Sequence, residues 1–526
     1  MKLKRFASAP TLLLLVAALA ACAASFDEQT ALAAPAPAPA RWSPASQEAP
    51  EAPPGDVSPP HFEPPSASHC QRAPTTREVP GRSARQSEAA WHLRKESGDR
   101  LRAAPDGGAR ALLAPSARAA PAAAPRALES RADSAADKVA PAPPLQALRP
   151  STPVVTAGVV DDNADFGAYL AYRQRNTLLP VRERDISERY LLEVTDASGR
   201  PVHDAEVAVQ RAGITAPVMW ARTDTAGRVW LHPRAFIAPG FEAEHELGVA
   251  VRKGGTQARA TLRRGQSSAL QVRLGTTSVA QRPRLDLVFM IDATGSMGDE
   301  IGKLKSSMRA MSAQIAQLPG QPDICYGLVA YRDRGDAFLT RTHDFTNDLG
   351  AFQNLLERVQ AQGGGDTPEA LNEALHEVVH GLSWRTDAAR LVVLVADAPP
   401  HLDYEGCVSA PEAFGFSPPG GQRVAGLERP GACPQYDADM QAALAKGIKL
   451  FAVGASGLDP VGEYIFRQLA QYTAGRFVFL TYKNAAEPDR GAGTRTVHDV
   501  KNYSVQTLDR LVVRLVSEEM ARLSRS

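Results

Sequence analysis

Oxygen-bearing side chains alternate in Asp292-Ala293-Thr294-Gly295-Ser296, directly after the apolar run Leu285 to Ile291. A carboxylate and two hydroxyls at that spacing can turn three oxygens to one side of a tight loop, and Gly295 and Gly298 let the backbone turn closely. Oxygen donors of this kind suit a hard divalent cation, with Mg²⁺ foremost and Ca²⁺ or Mn²⁺ as alternatives, rather than zinc. Two other stretches carry matching groups. Gly363-Gly364-Gly365-Asp366-Thr367-Pro368-Glu369 offers a carboxylate or a hydroxyl after three glycines, and Asp397 closes the apolar run Leu391 to Ala396. A competing signal is His376-Glu377-Val378-Val379-His380, which fits the pattern of two histidines one helical turn apart binding zinc with the Glu as base of a protease. His401 or Glu405 would be the nearest third ligand, without supporting spacing. Helical periodicity makes Leu371, Leu375, Val378, Val379 and Leu382 the buried stripe of that segment. It places His376, Glu377, His380 and Glu373 on the opposite, polar side, where a protease cleft has no wall. The sequence holds no Gly-x-Ser-x-Gly and no phosphate-binding loop, so it points to neither a serine hydrolase nor an NTPase.

The three oxygen-bearing stretches lie far apart in the chain, so the fold must bring them together. From Arg284 onward, strand and helix patterns alternate. Continuous apolar runs at Leu285 to Ile291, Ile324 to Tyr331, Leu391 to Ala396 and Ile448 to Val453 suit buried parallel strands. An edge strand is expected at Phe338 to Phe345 and another strand at Arg476 to Leu480. Ile301, Leu304, Met308, Met311, Ile315 and Leu318 fall on one helical face, as do Leu508, Leu511, Val512, Leu515, Val516 and Met520. Helices are also expected at Leu349 to Val359, from Pro368 to about His380, and at Tyr464 to Tyr472. This is the pattern of an α/β fold, a doubly wound, mostly parallel sheet with helices on both faces, over residues 284–526. In such sheets ligands bind beyond the carboxyl ends of the strands, where Asp292 and Asp397 stand.

Asp292, Thr294 and Ser296 match the Asp-x-Thr/Ser-x-Ser motif of the metal-ion-dependent adhesion site, and the region resembles a von Willebrand factor A domain. The resemblance implies a divalent ion held by three loops and completed by an acidic residue of a protein partner. It implies a threonine after the glycines of the second loop, where this chain has Asp366, with Thr367 as the fallback. It implies Asp397 as the last ligand. A third carboxylate at Asp366 would strengthen ion binding and weaken the pull on an incoming carboxylate. Arg334-Gly335-Asp336 follows Tyr331-Arg332-Asp333 and reads as a polar loop between strands rather than an integrin-binding tripeptide. No residue is assigned a catalytic role.

Upstream, the chain changes character. Lys2, Lys4 and Arg5 precede the short apolar segment Thr11 to Ala20, and Leu19-Ala20-Ala21-Cys22 resembles the lipobox of bacterial lipoproteins. That resemblance implies a signal peptide over 1–22, lipidation of Cys22 and a membrane anchor in the bacterial cell envelope; Ala23 fits the outer-membrane sorting pattern. Residues 23–150, rich in Ala, Pro, Ser and Arg, read as a disordered tether, apart from a weak helix around Glu88 to Leu101. Asp161, Asp162 and Asp165 read as a solvated run, since they lack the register of a calcium loop. Over 187–275, alternating segments such as Leu247, Val249 and Val251, separated by turns like Asp196-Ala197-Ser198-Gly199, predict a small β-sandwich. "DASGRPVHDAEVAV" and "ARTDTAGRVWL" resemble carboxypeptidase-regulatory-like and immunoglobulin-like modules. Of five cysteines, Cys70 lies in the low-complexity stretch and Cys325 reads as a buried small hydrophobe. Cys407 and Cys433 flank a Gly/Pro-rich segment and are candidates for a disulfide. With 59 basic and 58 acidic residues the net charge is +1, which excludes the basic excess of a nucleic-acid binder. The segment from Pro399 to Tyr436 is long for a connection inside a compact domain and is the candidate for tuning partner choice.

Overall fold

The computed structural model describes residues 70–81 and 154–523, apart from 215, 237–243, 276–281, 366, 403–433 and 502. The apolar runs form the centre of one sheet. β10 (Arg284–Asp292) pairs in parallel with β11 (Asp323–Tyr331) on one side and β13 (Ala388–Ala396) on the other. β14 (Ile448–Gly454) and β15 (Arg476–Thr481) continue the parallel set. Alternate residues of these strands serve opposite cores, as a period of two requires. Leu285, Leu287, Phe289 and Ile291 face one core, and Val288 and Met290 face the other.

Helices cover both faces. On the first lie α2 (Gly298–Ile315), α3 (Leu349–Arg358) and α7 (Leu508–Leu523), through Leu304, Met308, Phe352, Leu511 and Val512. On the second lie α1 (Phe166–Arg175), α4 (Leu371–His376), α5 (Tyr436–Lys446) and α6 (Pro460–Tyr472). The result is mixed α/β with a large, mostly parallel central sheet. Among the described residues no helix is long and apolar enough to cross a membrane.

The sheet reaches further upstream than residue 284. Strand β12 (Thr340–Thr346), expected at an edge, is covered by β1 (Thr76–Val79), which pairs with it antiparallel. A disulfide joins Cys70 to Cys325 at the start of β11, with Cα atoms 6.0 Å apart. So residues 70–81 of the expected tether are built into the sheet, and Cys325 is bonded rather than a free apolar filler. The other side is closed by β2 (Thr156–Val160), antiparallel to β15, and by β16 (Gln506–Thr507). The expected solvated run at Asp161 is instead structural: Asp162 is buried and paired with Arg467 at 2.6 Å, and Asp165 caps α1 by accepting from Ala168 N.

Between β2 and β10 the chain forms two smaller sheets. β3 (Tyr190–Thr195) lies between β6 (Arg228–Leu231) and β9 (Leu270–Arg273). β4 (Glu206–Arg211) pairs with β5 (Pro217–Arg222) and β7 (Glu246–Lys253), and β7 with β8 (Thr256–Arg263). Leu192, Val194, Val207, Val209, Val249 and Val272 share the core that also lies under α5 and α6. A buried ion hub ties this part to the large sheet. Asp204 accepts from Arg390 Nη1 at 2.9 Å and Nη2 at 3.1 Å, from Arg222 Nη1 at 3.1 Å and from Asp387 N at 2.8 Å. Glu519 of α7 likewise accepts from Thr225 Oγ1 and from Lys449 Nζ.

Candidate metal centre

Strand β10 delivers Asp292 to the rim of the sheet, and backbone bonds then lay its loop against the glycine loop. Gln362 N donates to Ala293 O at 3.0 Å and Gly295 N to Gly363 O at 2.9 Å. A Cβ on Gly364, whose φ is +67°, would stand 3.0 Å from Glu369 Oε1 and 3.2 Å from Thr294 Cβ. That approach is open only to glycine. The glycine loop is held from behind by Asp336 Oδ2, which accepts from Gly364 N at 2.8 Å and from Asp333 N at 3.1 Å. The Asp of Arg334-Gly335-Asp336 is thus turned inward as a loop brace.

Within the first loop, Thr294 N and Oγ1 both donate to Asp292 Oδ1, at 2.9 and 2.7 Å, and Thr294 Oγ1 lies 3.1 Å from Ser296 Oγ. Among the described residues, Asp292 Oδ2 is buried with no donor at hydrogen-bonding distance. Asp397, one residue past β13, interacts with Ser296 and with Asp292; its Oδ1 is also buried without a donor. The same holds for Glu369 Oε2. Burial, and then the charge of Asp397, push the Asp292 carboxyl up to about 7. Burial raises Asp397 too. Burial and the charges of Asp292, Asp333, Asp397 and Asp336 push Glu369 up to about 9. Orphaned buried acceptors are costly, and like charges so close cannot all ionise alone. A hard dication between them answers both problems with the donors it prefers, so the residues fit such an ion. Ser296 is exposed and opens the cluster to solvent.

Of the sequence candidates, Asp292, Thr294, Ser296 and Asp397 come together. Thr367 is exposed, and Asp366, like Cys407 and Cys433, lies outside the described residues. Among the described residues, the carboxylate that the second loop brings toward Asp292 and Asp397 is Glu369, which no motif had singled out. Its signal was only a Glu two places after Thr367, at the start of a helix.

The His376-Glu377-x-x-His380 segment has a different geometry from a protease centre. Glu377 is buried and accepts from Arg77 Nη2 and from Thr342 Oγ1, so its carboxylate is engaged by β1 and β12. Glu373 is buried too and pairs with Arg334 at 3.0 Å; of the side expected to be polar, both acids are covered and His380 alone stays exposed. His401 Nε2 lies 2.6 Å from Asp333 Oδ1, and Glu405 is outside the described residues. The third group beside the two histidines is Asp439 of α5.

Comparison with known proteins agrees with this architecture. Residues 286–402 match the family model of the von Willebrand factor A domain. Human von Willebrand factor A domain-containing protein 7 is 34% identical over 143 residues, covering 26% of this chain and 15% of that one. The α-protein kinase vwkA of Dictyostelium discoideum is 28% identical over 133 residues, covering 25% of this chain and 21% of the kinase. The chain therefore spans no more than about a fifth of the length of these curated relatives. A crystal structure of the conserved hypothetical protein BatB from Bacteroides thetaiotaomicron is 12% identical, with a TM-score of 0.27, covering 46% of this chain and 100% of that one. That likeness is too distant to argue from.

Proposed function

We propose, starting from the von Willebrand factor A domain that this chain contains, that it is a divalent-cation-dependent protein-binding module of a lipid-anchored cell-envelope protein. A domains are protein-interaction and adhesion modules. The observation that carries the metal dependence is the set of three buried carboxylate oxygens on Asp292, Asp397 and Glu369 that meet no donor among the described residues, beside the exposed Ser296. Mg²⁺ is the ion proposed, with Ca²⁺ or Mn²⁺ as alternatives, and Asp292, Thr294, Ser296 and Asp397 hold it directly or through water. When bound, the ion offers a Lewis-acidic position to an acidic residue of a partner. The lipid anchor at Cys22 and outer-membrane placement rest on the lipobox-like sequence. The Cys70–Cys325 bond supports an oxidising compartment. The two small sheets are read as a β-sandwich spacer of the carboxypeptidase-regulatory-like kind.

Glu369 favours a second reading. A third carboxylate in the cluster offsets more of the ion's charge, so the ion braces the three loops without recruiting an acidic ligand. Two measurements on the full chain separate these readings. Mg²⁺ and Mn²⁺ titration by calorimetry should show binding that Asp292→Ala abolishes; equal binding by the variant rejects the metal centre. Capture from envelope extract in Mg²⁺ against chelator should then differ for the wild type only. Capture indifferent to chelator leaves the bracing reading in place.

A further inference from the structure

One polar cluster that the A-domain centre leaves unused lies on the other helical layer. His376 ends α4, and His380 follows in the π-helical turn Glu377–Gly381. Their ring centroids are 4.5 Å apart. From α5, Asp439 reaches between them. Its Oδ1 lies 3.1 Å from His376 Nδ1 and 3.0 Å from His380 Nε2, and one donor atom of each residue lies within 4.8 Å of the other two. A tetrahedral Zn²⁺ with bonds of ~2.0–2.1 Å sets its ligand atoms about 3.3 Å apart. The two separations, 3.1 and 3.0 Å, are close to that edge.

We propose that His376 Nδ1, His380 Nε2 and Asp439 Oδ1 form a second metal site, for Zn²⁺ or a similar borderline transition-metal ion, that clamps α5 onto the end of α4. Two imidazoles and one carboxylate are donors for such ions and a poor match for Mg²⁺. The site is preorganised. Tyr436 N at the head of α5 donates to Asn372 Oδ1 at 2.8 Å, and Lys446 Nζ at its tail donates to Val379 O at 2.7 Å. Asp439 is buried, with its side chain 5% exposed, while that of His380 is 38% exposed, so a fourth position opens to water. The neighbouring acids are balanced elsewhere, Glu373 by Arg334 and Glu377 by Arg77. Asp439 is left as the anion that faces the ion, with the Lys446 ammonium nearby. Glu377 is bound on its far side by β1 and β12, so the site is a clamp and no hydrolase.

The site is independent of the carboxylate centre, and the test keeps the two apart. The full chain, stripped with chelator, is titrated with Zn²⁺ by calorimetry and with Co²⁺ by visible absorption. Wild type and Asp292→Ala should both bind Zn²⁺ and show the Co²⁺ bands of a four-coordinate site. His380→Gln, on a half-exposed ring, and Asp439→Asn should each lose one equivalent of Zn²⁺, or bind it more weakly than the ~10–100-fold that losing an outer partner costs. Zn²⁺ should also raise the melting temperature of wild type and not of His380→Gln, and circular dichroism confirms that the variants fold. Absence of Zn²⁺ binding, binding that survives both His380→Gln and Asp439→Asn, or binding lost in Asp292→Ala instead would each overturn the proposal.

Discussion

Replacing Asp292 with Asn should stabilise the metal-free protein while destroying its response to Mg²⁺. Asn keeps an acceptor for Thr294 N and Oγ1, which bond Oδ1 at 2.9 and 2.7 Å, and removes the charge that faces Asp397 and Glu369. The folded carboxyl is raised to about 7, against ~3.9 in an unfolded chain. A raised carboxyl holds its proton longer in the folded state, so the unfolded state binds fewer protons between those values and stability falls as pH rises through them. At pH 7.5 the cost to the folded wild type is on the order of 4 kcal/mol, and about 2 if Asp397 carries part of the shift. At pH 5 it is only about 1–2 kcal/mol. Denaturant unfolding in chelator should therefore show Asp292→Asn more stable than wild type at pH 7.5, with the gap shrinking toward pH 5. Mg²⁺ at a hundred times its dissociation constant adds ~2.7 kcal/mol to the wild type alone, so the ion should narrow a gap of about 4 kcal/mol to about 1 and reverse one of about 2. A chelated variant less stable than wild type at pH 7.5, or a gap that widens on acidification, refutes the like-charge cluster.

Four further outcomes follow from the same structure. Asp204→Asn takes the buried carboxylate away from Arg390 and should cost about 3–5 kcal/mol in denaturant unfolding. Burial opposes the charge of Asp204, but Arg390, Arg222 and Lys253 hold its carboxyl far below the usual range. Its contribution is thus complete above ~3.9 and fades only as pH falls below that, so the gap to wild type should stay constant from pH 5 to 8. Gly364→Ala places a Cβ against Glu369 Oε1 at φ +67°; it should destabilise by about 1–3 kcal/mol and weaken Mg²⁺ binding in calorimetry. Cys70→Ser should lower unfolding stability by about 2–5 kcal/mol under oxidising conditions, with no difference from wild type once both are reduced. Deleting residues 403–433 across a short linker should leave folding and Mg²⁺ binding intact and change partner selectivity in capture assays. Asn372 holds both flanks of that segment, donating to His401 O at 2.7 Å and accepting from Tyr436 N at 2.8 Å.

What could be read in the sequence was what local pattern determines. The run Leu285 to Ile291 is buried on both faces, and the stripe from Leu508 to Met520 follows the helical period, so both announce themselves. The Asp292 loop was legible because its oxygen-bearing residues alternate within one five-residue stretch. The misses are all long-range. Strand β1 is four residues, Thr-Arg-Glu-Val, too short for a period and set among prolines and arginines; only its pairing to β12 makes it a strand. Strand β2 offered alternation no stronger than its surroundings. The Cys70–Cys325 bond spans 255 residues, a separation at which spacing says nothing about proximity. Glu369 looked like an ordinary helix-start acid, and the fold alone turns it toward Asp292. Asp439 had no motif at all, because its partners lie on a different helix.

The Cys70–Cys325 bond also decides where a mechanical load would enter the domain. Tension arriving along the chain from upstream reaches Cys70 before it reaches β1, whose few ladder bonds at the sheet margin would unzip one by one. The covalent link passes the force instead to β11, an interior strand flanked on both sides by β12 and β10. A pull between an upstream anchor and a captured partner would thus be borne by the body of the sheet, and the peripheral strand, with the Arg77 contact to Glu377, would remain seated under strain.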